Sequence, residues 1–309
     1  MEQFKRILFF ADGARGEKGA LARAIELAQL NAAELTLMDV VPEVGTDDPR
    51  LSQSIKKLQQ ALINERQDAL RKLLGESMTQ GKPPKTRVRV TAAEKEYLGI
   101  VSAVIDGEFD LLVKSVNPAN ILTAKLFGNT DLKLLRQCPC PVWLIKPARR
   151  IRISSMLAAV DLTSDEKETA SLAERIMEIA TNLAQIEGAS LSVLAAWDQP
   201  IDPAMKRHVD SEIYDSYISG YKETIHKRMD RLVAKFRASK VSDHVVKGKA
   251  EKAIGDFIKD NGVDLLVMGT LSRTGIPGIL IGNTAERVLN EVECSVLTLK
   301  PKGFKAHLK

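Results

Sequence analysis

The stretch of this sequence best suited to chemistry is Met268–Val288, M-G-T-L-S-R-T-G-I-P-G-I-L-I-G-N-T-A-E-R-V. Gly269, Gly275, Gly278 and Gly282 let the backbone approach a ligand closely and take positive φ. Gly282-Asn283-Thr284 then opens a helix near Thr284, where free N–H groups and the helix dipole favour an anion. Thr270, Ser272, Asn283 and Thr284 offer hydroxyl or amide partners, and Arg273 can neutralise phosphate charge. The same composition also suits a tight turn followed by an N-capped helix. The stretch is not G-x-x-x-x-G-K-[ST], and no G-x-G-x-x-G follows a strand, so neither common nucleotide fingerprint applies.

Two further loops belong to the same half of the chain. Asp161-Leu162-Thr163-Ser164 ends a buried strand, where Asp161 can cap the next helix or accept hydrogen bonds from a ribose or base. Ala195-Ala196-Trp197 ends another, where backbone groups can face a planar base. The remaining reactive residues point elsewhere. Cys138-Pro139-Cys140 is not C-x-x-C, and Cys140 and Cys294 lead into final strands, as inert buried thiols do. His208, His226, His244 and His307 have no metal-ligand spacing, and no nucleophile-base-orienter set emerges.

What positions these loops is an internal repeat. L-F-G-N-T-D-L-K-L-L-R-Q-C-P-C-P-V-W-L-I-K-P (Leu126–Pro147) matches L-I-G-N-T-A-E-R-V-L-N-E-V-E-C-S-V-L-T-L-K-P (Leu280–Pro301) at a constant offset of 154. Phe109–Ser115 matches Val263–Gly269, and Ile7–Asp12 matches Met156–Asp161. Each copy carries five short apolar runs: Ile7–Ala11, Leu35–Val41, Val88–Val90, Leu111–Val113 and Val142–Ile145, then Met156–Val160, Leu191–Ala196, His244–Val246, Leu265–Met268 and Val296–Leu299. Runs this apolar suit strands buried on both faces of a parallel sheet. Helix-period segments lie between them, the longest over 51–78 and 203–238, so each copy reads as an α/β layered domain. The predicted domains are 1–148 and 152–303, joined near Pro147 and Arg149-Arg150. Copy one keeps Gly128-Asn129-Thr130 but carries Ser115-Val116-Asn117-Pro118 where copy two has Gly269-Thr270-Leu271-Ser272. The proline removes an N–H and fixes φ, so copy one predicts no phosphate cradle.

Composition sets the class. The 309 residues suit about two domains. A 44% hydrophobic content is ample for packed cores. Three cysteines make no disulfide framework, which points to a reducing compartment. No run approaches the ~20 apolar residues of a membrane helix, and the N-terminus has no signal-peptide pattern, so a soluble cytoplasmic protein is expected. The net charge of +5 comes without basic clusters interleaved with aromatics, which disfavours a dedicated nucleic-acid binder. Residues 1–150 hold 23 Lys and Arg against 18 Asp and Glu, and residues 151–309 hold 22 against 22. The surplus charge therefore sits in the copy without the loop and says nothing for phosphate binding.

The two copies together resemble a tandem universal stress protein, most like the two-domain E type of gamma-proteobacteria. Nucleotide-binding members of that family carry G-x-x-G-x(9)-G-[ST], and Gly269-x-x-Ser272-x(9)-Gly282-Asn283 fits this frame with Ser272 and Asn283 as departures; Thr284 can supply the hydroxyl. The resemblance implies that Asp161 and Ala196 meet the adenosine, with Asp12 and Val40 as their counterparts in copy one. It implies two doubly wound domains, each a five-stranded parallel sheet of the adenine nucleotide alpha-hydrolase type, strand order 3-2-1-4-5. It further implies ATP or another adenine nucleotide, with magnesium, as ligand of the second domain. Pairing of the last strands would make an internal pseudo-dimer, with a homodimer as a further form. The role implied is a stress-response sensor, and the alternatives are a ligand-independent interaction module or a slow ATPase.

Overall fold

The computed structural model describes residues 4–14, 16–78, 82–116, 129–147, 152–198, 208, 210–236, 240–270 and 282–306. The chain divides into two compact units, one built on Gln3–Ile151, the other on Arg152–Gly275 with Ile281–Gly303.

The N-terminal unit runs β1 (Arg6–Phe10), α1 (Glu17–Asn31), β2 (Glu34–Pro42), α2 (Ser52–Ser77), β3 (Thr86–Ala93), α3 (Glu96–Asp106), β4 (Leu111–Ser115), α4 (Asn129–Gln137) and β5 (Val142–Ile145). The C-terminal unit repeats it as β6 (Ser155–Ala159), α5 (Lys167–Glu187), β7 (Ser190–Trp197), α6 (Ser211–Ala234), β8 (Val241–Lys247), α7 (Ala250–Asn261), β9 (Leu265–Gly269), α8 (Asn283–Glu291) and β10 (Ser295–Leu299). Strand order is β3-β2-β1-β4-β5 in the first unit and β8-β7-β6-β9-β10 in the second. All neighbouring pairs within each unit are parallel. Each unit is thus the expected doubly wound α/β domain.

The apolar runs form strands because helices cover both sheet faces. Leu111, Leu112 and Val113 in β4 and Leu265, Leu266 and Val267 in β9 are fully buried. Each such side chain contributes about 1.5–3 kcal/mol relative to exposure. The outer strands are longer than their apolar runs: β3 spans Thr86–Ala93 around the predicted Val88–Val90, and β8 spans Val241–Lys247 around His244–Val246. Outer strands are only half covered, so polar residues alternate into them and shorten the apolar signal. An aspartate ahead of the fourth strand braces the first strand of each unit. Asp110 accepts from the N–H groups of Lys5 (2.7 Å) and Arg6 (3.0 Å), and Asp264 from those of Ser154 (2.7 Å) and Ser155 (3.0 Å).

The long helices depart from the periodic reading at their starts. Leu51 at the N-cap of α2 and Leu58 within it recur at helical spacing with Ile55 and Leu62, and Ile213 and Tyr217 in α6 recur with Ile225 and Met229, yet Leu51, Leu58, Ile213 and Tyr217 are exposed. A helix of 26 residues is about 39 Å long at 1.5 Å per residue, whereas the eight-residue β3 spans roughly 26 Å. The first turns therefore overrun the sheet they pack on. α6 begins only at Ser211, where Asp210 caps it by accepting the Glu212 N–H at 2.9 Å; predicted residues 203–207 lie outside the described residues.

Candidate functional site

In the C-terminal unit the chain leaves β6 toward β7 and β8 on one side, and places β9 and β10 on the other. The crevice between the carboxyl ends of β6 and β9 is where an open α/β sheet takes a ligand. A cavity of about 610 Å³ opens there, within the size range of small-molecule sites. Asp161, Ala196, Gly269, Gly282 and Thr284 all line it.

Each arrives by a separate route. Asp161 follows β6 and accepts from the Thr163 N–H (2.9 Å) and hydroxyl (2.7 Å). It therefore organises its own turn; the residue at the start of α5 is Glu166, which makes no side-chain cap. Ala196 comes from β7, paired in register with Val246 of β8. Gly269 closes β9 against α5: a Cβ there would sit 2.6 Å from Leu172 Cδ2 and 3.4 Å from Ile176 Cδ1. Gly282 is the N-cap of α8, and Thr284 lies in its first turn. Thr270, in contrast, faces β10: its N–H (3.1 Å) and hydroxyl (3.4 Å) both donate to the Leu299 carbonyl. Ser272 and Arg273 lie outside the described residues, as does the Asn283 side chain, although Asn283 begins α8.

The cavity also takes in Thr163 of the Asp161 loop and residues that the sequence does not single out: Thr169, Tyr221, Lys249, Glu251 and Arg287. The start of α7 could have been found from topology alone. Every helix of a doubly wound unit begins where its preceding strand ends, so the loop after β8 reaches the same edge. Arg287 pairs with Glu251 at 3.1 Å. The Glu251 carboxyl is held below the ordinary range by its own backbone N–H at the helix start, then by Arg287. Tyr221 stands edge-on to Trp197 at 5.9 Å, and Lys247 lies 5.6 Å from the Trp197 ring centre. Three helix N-termini, two basic side chains and an apolar wall of Leu172, Ala173, Ile176 and Ile254 suit a ligand with an anionic end and an apolar or aromatic body.

The family model for the universal stress protein family matches residues 3–146 and again 153–300. The chain belongs to the universal stress protein family. It is 28% identical over 314 residues to universal stress protein E of Escherichia coli strain K12, covering 98% of this chain and 96% of that one. It is 26% identical over 320 residues to universal stress protein E of Photorhabdus laumondii, covering 100% and 99%. Among solved structures, a putative universal stress protein from Pseudomonas aeruginosa UCBPP-PA14 matches with a TM-score of 0.72 and 27% identity over 99% of this chain and 96% of that one. A functionally unknown protein from strain PAO1 matches at 0.73 and 27%, over 99% and 95%.

The N-terminal universal stress domain builds the same edge from different side chains. The Lys114 ammonium lies 2.6 Å from Asp12 and 3.1 Å from Asp131, and donates to the Ser115 carbonyl at 3.0 Å. Lys114 and Asp131 are each 2% exposed. Burial opposes the Lys114 charge, but Asp131 and Asp12 outweigh it and hold the ammonium above its ordinary value. β4 and β9 coincide at an offset of 154 residues, and so do α4 and α8. Lys114 therefore stands where the second domain has Met268, and Asp131 where it has Ala285. Both Met268 and Ala285 line the C-terminal cavity. In the N-terminal domain an internal ion triad takes the place of that wall, and it engages Asp12, the counterpart of Asp161.

Elsewhere the thiols of Cys138 and Cys140 lie 3.5 Å apart and buried, and burial pushes the Cys140 thiol well up. Among the described residues no group of three or more His, Cys, Asp and Glu is placed to hold a metal ion.

Proposed function

We propose that the C-terminal universal stress domain binds an adenine nucleotide, or a related phosphate-bearing ligand, and serves the stress response as its sensor, while the N-terminal domain stands without one. The observation that carries this reading is the convergence of Asp161, Ala196, Gly269, Gly282 and Thr284 on one cavity at the start of α8. Asp161 and the β7 edge would meet the nucleoside; Gly269, Gly282 and the N–H groups of α8 would meet phosphate. Magnesium usually keeps several waters and is shared between one or two carboxylates and the phosphates. That habit suits a site with Asp161 at its wall and no preformed three-ligand cluster among the described residues. Its chemistry would be to neutralise phosphate charge. No helix among the described residues is long and apolar enough to cross a membrane, which is in keeping with the proposed cytoplasmic setting.

Titration calorimetry with MgATP tests the reading. The full chain is expected to bind one equivalent more tightly than about 1 mM, the weak end of the ordinary affinity scale. Gly282→Asp is expected to weaken binding by about a hundredfold, because it sets a carboxylate beside the phosphate end. Aspartate is a favoured N-cap, so the variant should still fold. No binding tighter than millimolar by the intact protein would sink the proposal.

A further inference from the structure

We propose that Thr169 is a ligand-contact residue of the C-terminal cavity, its hydroxyl donating to a phosphoryl oxygen of the bound molecule. This rests on the phosphate-ligand reading above and adds a residue outside the glycine frame. Thr169 lies in the first turn of α5, lines the cavity and is only 4% exposed. Its Oγ1 has no hydrogen-bond partner among the described residues. A hydroxyl buried in this way is costly unless something completes it.

The same helix shows what a structural threonine does. Thr181 Oγ1 donates back to the Met177 carbonyl at 2.7 Å and contacts that of Glu178 at 3.1 Å. Thr169 sits too near the start of α5 for a carbonyl four residues back to belong to the helix. The carbonyl three residues back, that of Glu166, accepts from the Ala170 N–H at 3.0 Å and takes no bond from Thr169, so a partner for the hydroxyl is left to the cavity it faces. That edge is rich in donors: the first turns of α5, α7 and α8 present free N–H groups, and Lys249 and Arg287 add positive charge. An incoming group that satisfies all of them is an acceptor, and the Thr169 hydroxyl is oriented by the same demand.

The N-terminal domain supports the assignment by contrast. Buried positions of α1 and α5 match at an offset of 152: Ala20, Leu21, Ala24, Ile25, Leu27 and Ala28 fall on Leu172, Ala173, Ile176, Met177, Ile179 and Ala180. Glu17 then falls on Thr169. Glu17 accepts the Gly13 N–H at 2.8 Å, so the domain that carries the Lys114 triad supplies an acceptor of its own at this helix start.

The test compares wild type, Thr169→Val and Thr169→Ser as full chains, by calorimetry with MgATP and with inorganic pyrophosphate, and by melting without ligand. Thr169→Val, which keeps the shape and removes the hydroxyl, is expected to weaken both probes by about ten- to a hundredfold, the range for a hydrogen bond to a charged group. Thr169→Ser should stay within about threefold of wild type, since it restores the donor. Ligand-free Thr169→Val should melt no lower than wild type, because an unsatisfied buried hydroxyl has been removed. Undiminished binding by Thr169→Val, or a clear loss of its melting temperature without ligand, overturns the proposal. If MgATP binds and Thr169→Val binds it equally, the nucleotide reading stands and this one fails. If only pyrophosphate binds, and Thr169→Val weakens it, the adenine reading fails and this one stands. If neither probe binds wild type, both are overturned.

Discussion

Lys114→Met alone is expected to destabilise the N-terminal domain by about 3–5 kcal/mol, the usual cost of removing one partner from a buried ion pair. For a domain of this size that is a drop of roughly 6–20 °C in its melting transition. The reason is what the substitution leaves behind. Asp131 is buried and Asp12 largely so, and the ammonium that separates them lies within 3.1 Å of both. Without it, two carboxylates face each other in a largely buried site. Lys114→Met with Asp131→Ala installs the residues found at Met268 and Ala285 and removes one of the two charges. The double variant should recover most of the loss, as replacing a whole buried pair by apolar residues usually does. A single variant that melts like wild type, or a double as unstable as the single, would show that the triad is not closing the site. The same triad sets an alkaline limit. Its ammonium is held above the ordinary lysine value, so its stabilisation is complete at neutral pH and is lost as pH rises through that raised value. Thermal melts between pH 8 and the alkaline limit should lose this increment in wild type and not in the double variant.

This triad also marks where sequence reading stops. The repeat, the ten strands and the parallel layering were legible because burial on both faces leaves a dense apolar run, as in Leu111–Val113 and Leu265–Val267. The glycine frame and Asp161 were legible because turns restrict residue type locally. Lys114, Asp12 and Asp131 come from β4, the turn after β1 and the first turn of α4, so no local period joins them. From sequence, copy one showed only that its loop had lost glycine for Ser115-Val116-Asn117-Pro118; that its wall is ionic needs the fold. Thr169 was hidden for a related reason. Inside an amphipathic helix a threonine reads as surface, and only the meeting of α5 with the β9 edge buries it. The exposed Leu51, Leu58, Ile213 and Tyr217 err in the opposite sense: their period is helical, but the sheet beneath them ends first.

The reciprocal exchange should carry the ion triad into the other domain. Met268→Lys with Ala285→Asp places the triad's two missing members at aligned positions of β9 and α8, with Asp161 already standing where Asp12 stands. Met268 and Ala285 are buried in the cavity wall, so the new side chains would meet inside it. A nucleotide could then enter only by breaking a buried ion pair, which costs about 3–5 kcal/mol. MgATP affinity is therefore expected to fall by about two to three powers of ten in the double variant. The single variants separate charge from closure. Ala285→Asp alone adds a carboxylate where the proposed ligand's phosphate would lie and should weaken binding. Met268→Lys alone leaves an ammonium that phosphate itself can pair with, so its loss should be far smaller than that of the double. Simple overcrowding would weaken both singles alike, whereas closure by an ion pair demands that the double fall below what the singles predict together. A folded double variant that still bound MgATP like wild type would mean that the ligand does not rest against this wall. The ion triad of the N-terminal domain would then be a packing solution rather than a substitute for a ligand.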